Sequence, residues 1–313
     1  MSNASTPSLL VVGSIAFDDL EMPHGTYENV VGGAATYSAA AASLLAPVRL
    51  VGIVGKDFPD ETLAKLRARG VDTAGVEHAS GKTFRWRGRY SHDLQSRVSL
   101  DTQLNVFADF RPKLPDTFAE SPYVLLGNIH PALQIEVLER MRRPKFVIAD
   151  TMNFWITGEP KLLGDMLKRV DLLVINDEEA RELSGKHNLR AAAAEIRKRG
   201  PKQLIIKRGE HGALLFEEEG MFFVPAFPLE DVRDPTGAGD SFAGGLAAYL
   251  ASHDDIGSKT LRRAMFCASA MGSFCVEDVG TAKLFSLTRA ELSGRLAAFM
   301  AMVDYGGALP LKD

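Results

Sequence analysis

The sequence predicts an α/β protein: a mainly parallel central sheet covered by helices on both faces, with a small second sheet beside it. Three observations predict this. Short apolar runs rich in β-branched residues alternate with helical stretches, the last third of the chain is almost wholly helical, and two segments break the alternation.

The strand runs are Leu9–Ile15, Val48–Val54, Tyr123–Ile129, Phe146–Asp150, Asp171–Asn176 and Gln203–Lys207. Each is nearly continuous in apolar residues, as a strand buried on both faces requires. Between them Ala34–Leu45, Glu61–Arg69, Leu133–Arg143 and Leu189–Arg199 read as helices, and a strand–helix–strand rhythm implies parallel neighbours. Helices at Gly239–Ala251, Lys259–Phe274 and Arg289–Met302 close the chain. The segments that break the rhythm are Leu20–Val31 and Lys82–Phe110. Within Thr83–Tyr90 arginines and aromatics alternate strictly, and that period of two marks a half-exposed antiparallel strand. Such strands, inserted between βα units, form a small sheet placed to act as a lid. No internal repeat, low-complexity tract or Pro/Gly linker divides the chain, so residues 8–313 read as one domain with lid insertions near 20–31 and 82–110.

With 313 residues, of which 46% are hydrophobic, the chain can bury a substantial core. A formal net charge of −4 gives no support for nucleic-acid or anionic-membrane binding, and no apolar run approaches the roughly 20 residues that span a bilayer. Residues Met1–Pro7 are small and polar, Ser2-Asn3-Ala4 reads as a cloning remnant, and the expected setting is cytoplasmic. Cys267 and Cys275 stand eight residues apart in a predicted helix. Eight helical residues rise about 12 Å, whereas a disulfide holds Cα atoms near about 5.5 Å, so two free buried thiols are expected, in keeping with a reducing compartment.

The most informative segment is Asp234-Pro235-Thr236-Gly237-Ala238-Gly239-Asp240-Ser241-Phe242-Ala243-Gly244-Gly245. Gly237, Ala238 and Gly239 leave the amides of a helix start open to close approach by an anion, and the positive end of the helix dipole adds to that preference. Asp240 follows in the first turn, where its carboxylate is placed to accept a proton from an attacking hydroxyl. Gly13-Ser14-Ile15-Ala16-Phe17-Asp18 follows the first strand, which puts Asp18 at the C-terminal edge of the sheet, where α/β proteins bind ligands. Asn128 and His130, at the end of the strand Tyr123–Ile129, are expected on the same side.

The run from Asp234 to Gly245 closely resembles the C-terminal signature of the ribokinase-like (PfkB) carbohydrate kinases, and further segments similar to that family's motifs follow in order over essentially the whole chain. The resemblance implies a three-layer ribokinase-like sandwich with a small β-sheet lid, and ATP-dependent phosphorylation of a primary hydroxyl with Mg²⁺. It implies that Asp240 is the general base, that the Gly237, Ala238 and Gly239 amides form an anion hole, and that Asp18 holds the acceptor's hydroxyls. Gly32-Gly33 resembles the first family signature, where glycines let substrate lie against the backbone. Asn176-Asp177-Glu178-Glu179 matches the family's Asn-x-x-Glu motif, which implies nucleotide contact by Asn176 and a water-mediated Mg²⁺ role for Glu179. Lys207-Arg208-Gly209-Glu210-His211-Gly212 resembles the Gly-x-x-Gly turn beside the nucleotide, placing Lys207, Gly209, Gly212 and Thr236 around ATP. Glu230–Asp234 and Ser273–Thr281 resemble paired segments that bind a monovalent cation such as K⁺ in many members, with Asp234 beside it.

Two departures bear on the acceptor. Family members commonly carry asparagine four residues after the second glycine; Tyr37 stands there, and a phenol cannot reproduce an amide's paired donor and acceptor. Asp150, Asn153 and Trp155 sit where many sugar kinases carry Asp-x-Asn-x-Arg, with different spacing and no arginine. Both argue against copying a known sugar specificity, and the resemblance implies the family's commonest acceptor, a sugar or a sugar-like molecule. The alternative is a nucleoside, as in an adenosine-kinase-like enzyme, whose base would stack on Tyr37 or on Phe84, Trp86 and Phe107 of the lid. A homodimer through the lid is compatible with either. A nucleotide-binding regulator without turnover is a second alternative, and the absence of Gly-x-Gly-x-x-Gly after the first strand argues against a dinucleotide-dependent oxidoreductase.

Overall fold

The computed structural model describes residues 6–304 and 306; Ser2-Asn3-Ala4, residue 305 and the last residues of the expected domain, 307–313, lie outside the described residues. The chain opens with β1 (Leu9–Val12), β2 (Ala16–Met22), β3 (Gly25–Gly32), α1 (Ala34–Ala42), β4 (Val48–Val54), α2 (Asp60–Ala68) and β5 (Val71–His78). The hairpin β6 (Phe84–Tyr90) and β7 (Arg97–Gln103) follows, then β8 (Tyr123–Leu126), α3 (Pro131–Arg140), β9 (Phe146–Ala149), α4 (Asn153–Gly158) and α5 (Pro160–Leu167). Next come β10 (Leu172–Asn176), α6 (Asp177–Ser184), α7 (Leu189–Arg197), β11 (Gln203–Lys207), β12 (Ala213–Glu217) and β13 (Gly220–Val224). Four helices end the chain: α8 (Ala238–His253), α9 (Ser258–Cys275), α10 (Ala282–Ser286) and α11 (Arg289–Val303).

Nine strands form the main sheet in the order β13-β12-β11-β10-β9-β8-β1-β4-β5, parallel throughout except for the β12–β13 hairpin at one edge. Alternate residues of each central strand enter two separate cores. Leu9 and Val11, Leu125, Ile148, Leu172 and Val174, and Ile205 face one side, against α1, α8 and α9. Leu10 and Val12, Leu126, Val147, Leu173 and Ile175, and Ile206 face the other, against α3, α5, α6 and α7. Both faces of the pleat are buried, which is why these strands carry no polar alternation. The edge strands β5 and β13, and β12 beside the latter, were not expected from the sequence. β5 (VDTAGVEH) is an edge strand with only two buried residues, so it lacks the apolar run.

The second sheet has the order β3-β2-β6-β7. Here the sequence expectation is corrected. The first main-sheet strand stops at Val12 rather than Ile15, and the lid begins at Ala16 rather than Leu20, because the Gly13-Ser14 turn ends β1 and sends the apolar residues Ile15–Phe17 toward a different sheet. Asp18 consequently lies on a lid strand, and not at the end of a main-sheet strand. Alternation along β2 turns Asp18, Leu20 and Met22 inward, while Asp19 and Glu21 face out and pair with Arg85 at 2.8 Å and with Arg87 and Arg89 at 2.6 Å. Exposed pairs of this kind contribute only about 0–1 kcal/mol each, so the lid is held mainly by its inner cluster of Leu20, Met22, Tyr90 and Trp86. Phe84 stacks on Phe107 at 5.3 Å, and Phe107 on Phe110 at 5.5 Å, so these aromatics form packing beneath the lid.

Cys267 and Cys275 are buried free thiols on α9, as expected, and burial pushes the Cys267 thiol up to about 12. No helix among the described residues is long and apolar enough to cross a membrane.

The packing that positions the centre of the molecule is α8 on α1. All nine residues of α1 are buried, most of them alanine. A Cβ added to Gly244 would lie 2.3 Å from the Ser38 carbonyl oxygen, so only glycine permits this approach. Gly244→Val is expected to lower stability by about 3 kcal/mol, read as a lower urea midpoint with an unchanged slope.

Candidate active site

The N-terminus of α8, the C-terminal ends of β9, β10 and β11, and the inner face of the lid meet in one cleft. Its floor is the turn Asp234–Ala238. Asp234 is fully buried (0% exposed), and its two carboxylate oxygens accept the Thr236 N–H and the Gly280 N–H, both at 2.8 Å. It thereby ties the turn to the loop after α9. Gly237 has φ 76°, and a Cβ there would lie 2.3 Å from the Tyr37 ring. The turn thus needs glycine twice, for its left-handed backbone and for the ring beneath it.

Ala238 N–H donates to the Pro235 carbonyl at 3.3 Å, which removes it from the expected anion hole. Among the described residues, the amides of Gly237, Gly239 and Asp240 make no protein hydrogen bond, so two of the three expected donors are open and Asp240 takes the place of Ala238. Ser38 Oγ donates to the Asp240 carbonyl at 3.0 Å and so ties this end of α8 to α1.

Around these donors lies a group of carboxylates and one lysine. Lys207, at the end of β11, sends its Nζ to Asp150 Oδ2 at 3.2 Å, and a Cβ on Gly239 would lie 2.9 Å from that Nζ. Burial pushes the Lys207 ammonium down, but Asp150, Glu179 and Asp240 outweigh it and hold the group above its usual value. Asp240 is half-buried at the surface of the cleft. Desolvation, then the Asp150 charge, raises its carboxyl to about 7, against the opposing charges of Lys207 and Arg97. Asp18 is pushed further, to about 8, by burial and then by Asp234, Asp240 and Asp19, with Arg97 opposing. A Cβ on Gly32 would lie 1.9 Å from Asp18 Oδ2, so that glycine makes room for the carboxylate. Gly33 serves the backbone instead: its φ is 91°, and a Cβ there would lie 2.5 Å from the Ser14 carbonyl, while the Ser14 hydroxyl accepts the Ala34 N–H at the start of α1.

Asn176 and Glu179 form a capping box at the start of α6. Asn176 Oδ1 accepts the Glu179 N–H and Glu179 Oε2 accepts the Asn176 N–H, each at 2.8 Å. Burial, then the Asp150 charge, lifts Glu179 to about 7. Gly209 and Gly212, with φ 53° and 76°, shape the β11–β12 hairpin turn at the cleft's edge. Asn128 is engaged from both ends of its amide: it donates to Met152 Sδ at 3.0 Å and accepts from Trp155 Nε1 at 2.9 Å. His130 caps α3 by accepting the Ala132 N–H at 3.1 Å. Tyr37 is 1% exposed, its hydroxyl has no hydrogen-bond partner, and burial followed by Asp18 and Asp234 pushes that hydroxyl well above its usual range.

Two candidates were not singled out from the sequence. Tyr90, on lid strand β6, has its hydroxyl 2.8 Å from Thr236 Oγ1, so the lid touches the anion-binding turn itself. Arg97 starts the next lid strand and adds positive charge near Asp18, Asp240 and Glu179. The alternation in Thr83–Tyr90 contained the signal for Tyr90; Arg97 lay in a stretch without one. Among the described residues, no group of three or more His, Cys, Asp or Glu side chains converges to hold a metal ion. A divalent cation near Glu179 would therefore take most of its ligands from water and phosphate, which suits Mg²⁺.

The family described as pfkB family carbohydrate kinase matches residues 7–287. The cytidine kinase of Thermococcus kodakarensis is 32% identical over 248 residues, 77% of this chain and 88% of that protein. Among solved structures, the Burkholderia thailandensis nucleoside kinase in complex with inosine superimposes with a TM-score of 0.75 at 22% identity, over 94% of this chain and 98% of that one. Ribokinase from Thermotoga maritima gives 0.73 at 23% identity, over 93% and 99%. The two structural likenesses establish the ribokinase-like fold.

Gly237→Ala is expected to cost about 3 kcal/mol, from the left-handed backbone and the ring contact together. In a Tyr37→Ala background the same change should cost only about 1 kcal/mol, and a double-mutant cycle on urea midpoints checks the difference.

Proposed function

The chain belongs to the pfkB family of carbohydrate kinases, and on that premise we propose that it transfers the γ-phosphoryl of ATP to the hydroxymethyl group of a nucleoside. The observation that carries the reaction is the placement of Asp240 in the same turn as three unpartnered amides, with the inward carboxylate of Asp18 close enough to feel the charge of Asp240. A base, an anion site and a second carboxylate for the acceptor thus share one cleft.

In this mechanism Asp240 accepts the proton of the acceptor hydroxyl as its oxygen attacks phosphorus in line. The amides of Gly237, Gly239 and Asp240 donate to the oxygens of the transferring group, where charge gathers. Lys207 is held by Asp150 beneath Gly239, close to the phosphates. Asp18, from the lid, accepts hydrogen bonds from the acceptor's other hydroxyls and fixes its orientation. The lid over the cleft excludes water, which would otherwise compete as acceptor. Mg²⁺, when bound with the nucleotide, supplies positive charge between the phosphates, and Glu179 would orient its water ligands.

A nucleoside is favoured over a free sugar by two observations. The relative at 32% identity is a cytidine kinase, and Tyr37 occupies the place of an asparagine that binds sugar hydroxyls in the family. The second reading, a sugar acceptor, rests on the family as a whole.

The decisive assay is ADP formation from Mg-ATP with cytidine, inosine and other nucleosides against pentoses and hexoses. Turnover with nucleosides is expected, and turnover confined to free sugars would reverse the preference. Asp240→Asn should lower kcat by at least about 10³-fold with ATP affinity within a few-fold; lost ATP binding would make Asp240 structural. Asp240 must be ionised to act, and its value near 7 implies that kcat/KM falls about tenfold per pH unit below 7 and flattens above. The fall should persist in Asp18→Asn and disappear in Asp240→Asn. Glu179→Gln keeps an acceptor for the capping box, so it should hold the melting temperature within about 2 °C while raising the Mg²⁺ concentration needed for half-maximal rate.

A further inference from the structure

Four arginines rise from the lid hairpin, and one differs from the rest. Arg85, Arg87 and Arg89 alternate on the outer face of β6 and each is paired, with Asp19 or Glu21. Arg97, on β7, has no hydrogen bond or ion pair among the described residues. Its direction is fixed by register. Arg97 lies directly opposite Tyr90 in the antiparallel ladder, so the two side chains share a face, and the Tyr90 contact with Thr236 shows that this face looks onto the anion-binding turn.

The guanidinium is also supported from below. A Cβ on Gly88 would lie 2.1 Å from the Trp86 ring, so that ring lies flat across Gly88 between Trp86 and Tyr90. The Arg97 guanidinium carbon stands 5.8 Å over the ring's centroid, and the indole is held by a hydrogen bond from its Nε1 to Ser99 Oγ at 3.0 Å. Glycine, tryptophan and serine thus form a seat that keeps an unpaired arginine in the cleft. The hairpin tip continues across it: Gln95 Oε1 is 3.9 Å from where a Cβ on Gly209 would be. Groups on three separate elements, Asp18 on β2, Asp240 on α8 and Glu179 on α6, each feel the positive charge of Arg97.

We propose that Arg97 is a catalytic residue delivered by the lid: its guanidinium donates to the non-bridging oxygens of the phosphoryl group in transit, opposite the amides of Gly237, Gly239 and Asp240, and Trp86 is its positioning residue. No bond to Arg97 forms or breaks. A planar, permanently charged fork suits the spread negative charge of that group, and the rate it supplies is gained in the transition state rather than in binding. The inference rests on the kinase reading above.

The test compares wild type, Arg97→Ala and Arg97→Lys in the Mg-ATP assay with the best acceptor found. Arg97 is exposed, so the variants should fold, with melting temperatures within about 2 °C of wild type. Arg97→Ala should lower kcat by on the order of 10²-fold or more with KM for ATP and acceptor within about threefold, and Arg97→Lys should regain part of it. Ethylguanidinium added at millimolar concentration should raise the rate of Arg97→Ala without affecting wild type, which a purely structural role would not produce. A wild type that forms ADP while Arg97→Ala keeps its kcat, or loses only acceptor KM, overturns this inference and leaves the kinase intact. A wild type that forms no ADP with any acceptor overturns both.

Discussion

The site depends on how closely two helices approach. α8 carries the open amides and Asp240, and it can lie on α1 only because Gly244 has no side chain where a Cβ would stand 2.3 Å from the Ser38 carbonyl oxygen. Gly245 does the same on the other side, where a Cβ would lie 2.6 Å from the Met271 side chain on α9. At its N-terminus the helix rests on the Tyr37 ring through Gly237, and the Ser38 hydroxyl bonds to the Asp240 carbonyl. Small residues thus set the height of the anion-binding amides, and Tyr37 sets their floor. An interior packed to crystal density transmits any change at these contacts directly to the donors.

The cleft above that floor concentrates negative charge that no protein ion pair fully offsets. The charge of Asp150 raises Glu179 and Asp240, and those of Asp234 and Asp240 raise Asp18, while Lys207 and Arg97 are the cations that temper the values of Asp240 and Glu179. Burial raises Asp18 to about 8, and Glu179 and Asp240 to about 7. Asp234 is different, because its charge is met by two backbone N–H groups and its work is to hold the turn.

The lid is tied down at separated points. His24 Nε2 lies 2.7 Å from the Arg233 carbonyl, Tyr90 meets Thr236, and Gln95 reaches toward Gly209. These contacts are short-range and polar, and they fall on the two segments that form the floor and the edge of the cleft. A lid held in this way keeps Asp18, Tyr90 and Arg97 on strands fixed to the turn before α8.

Much of this was legible in the sequence. Continuous apolar runs announced the central strands because both sheet faces are buried, and the glycines, Asp240 and Asp18 stood out because close backbone approach and a carboxylate at a helix start are local requirements. The arginine and aromatic alternation announced β6, yet not that Tyr90 would meet Thr236, 146 residues away. Which amides stay open was decided by the Pro235–Ala238 hydrogen bond, and the strand on which Asp18 lies was decided by where β1 ends; neither has a compositional signature. The sequence by itself determined the fold class and the kinase family, since these follow from local backbone and side-chain chemistry. Only the tertiary structure decided the direction of Arg97, the burial of Tyr37 and the values of the carboxylates, because register, packing and desolvation arise between residues distant in the chain.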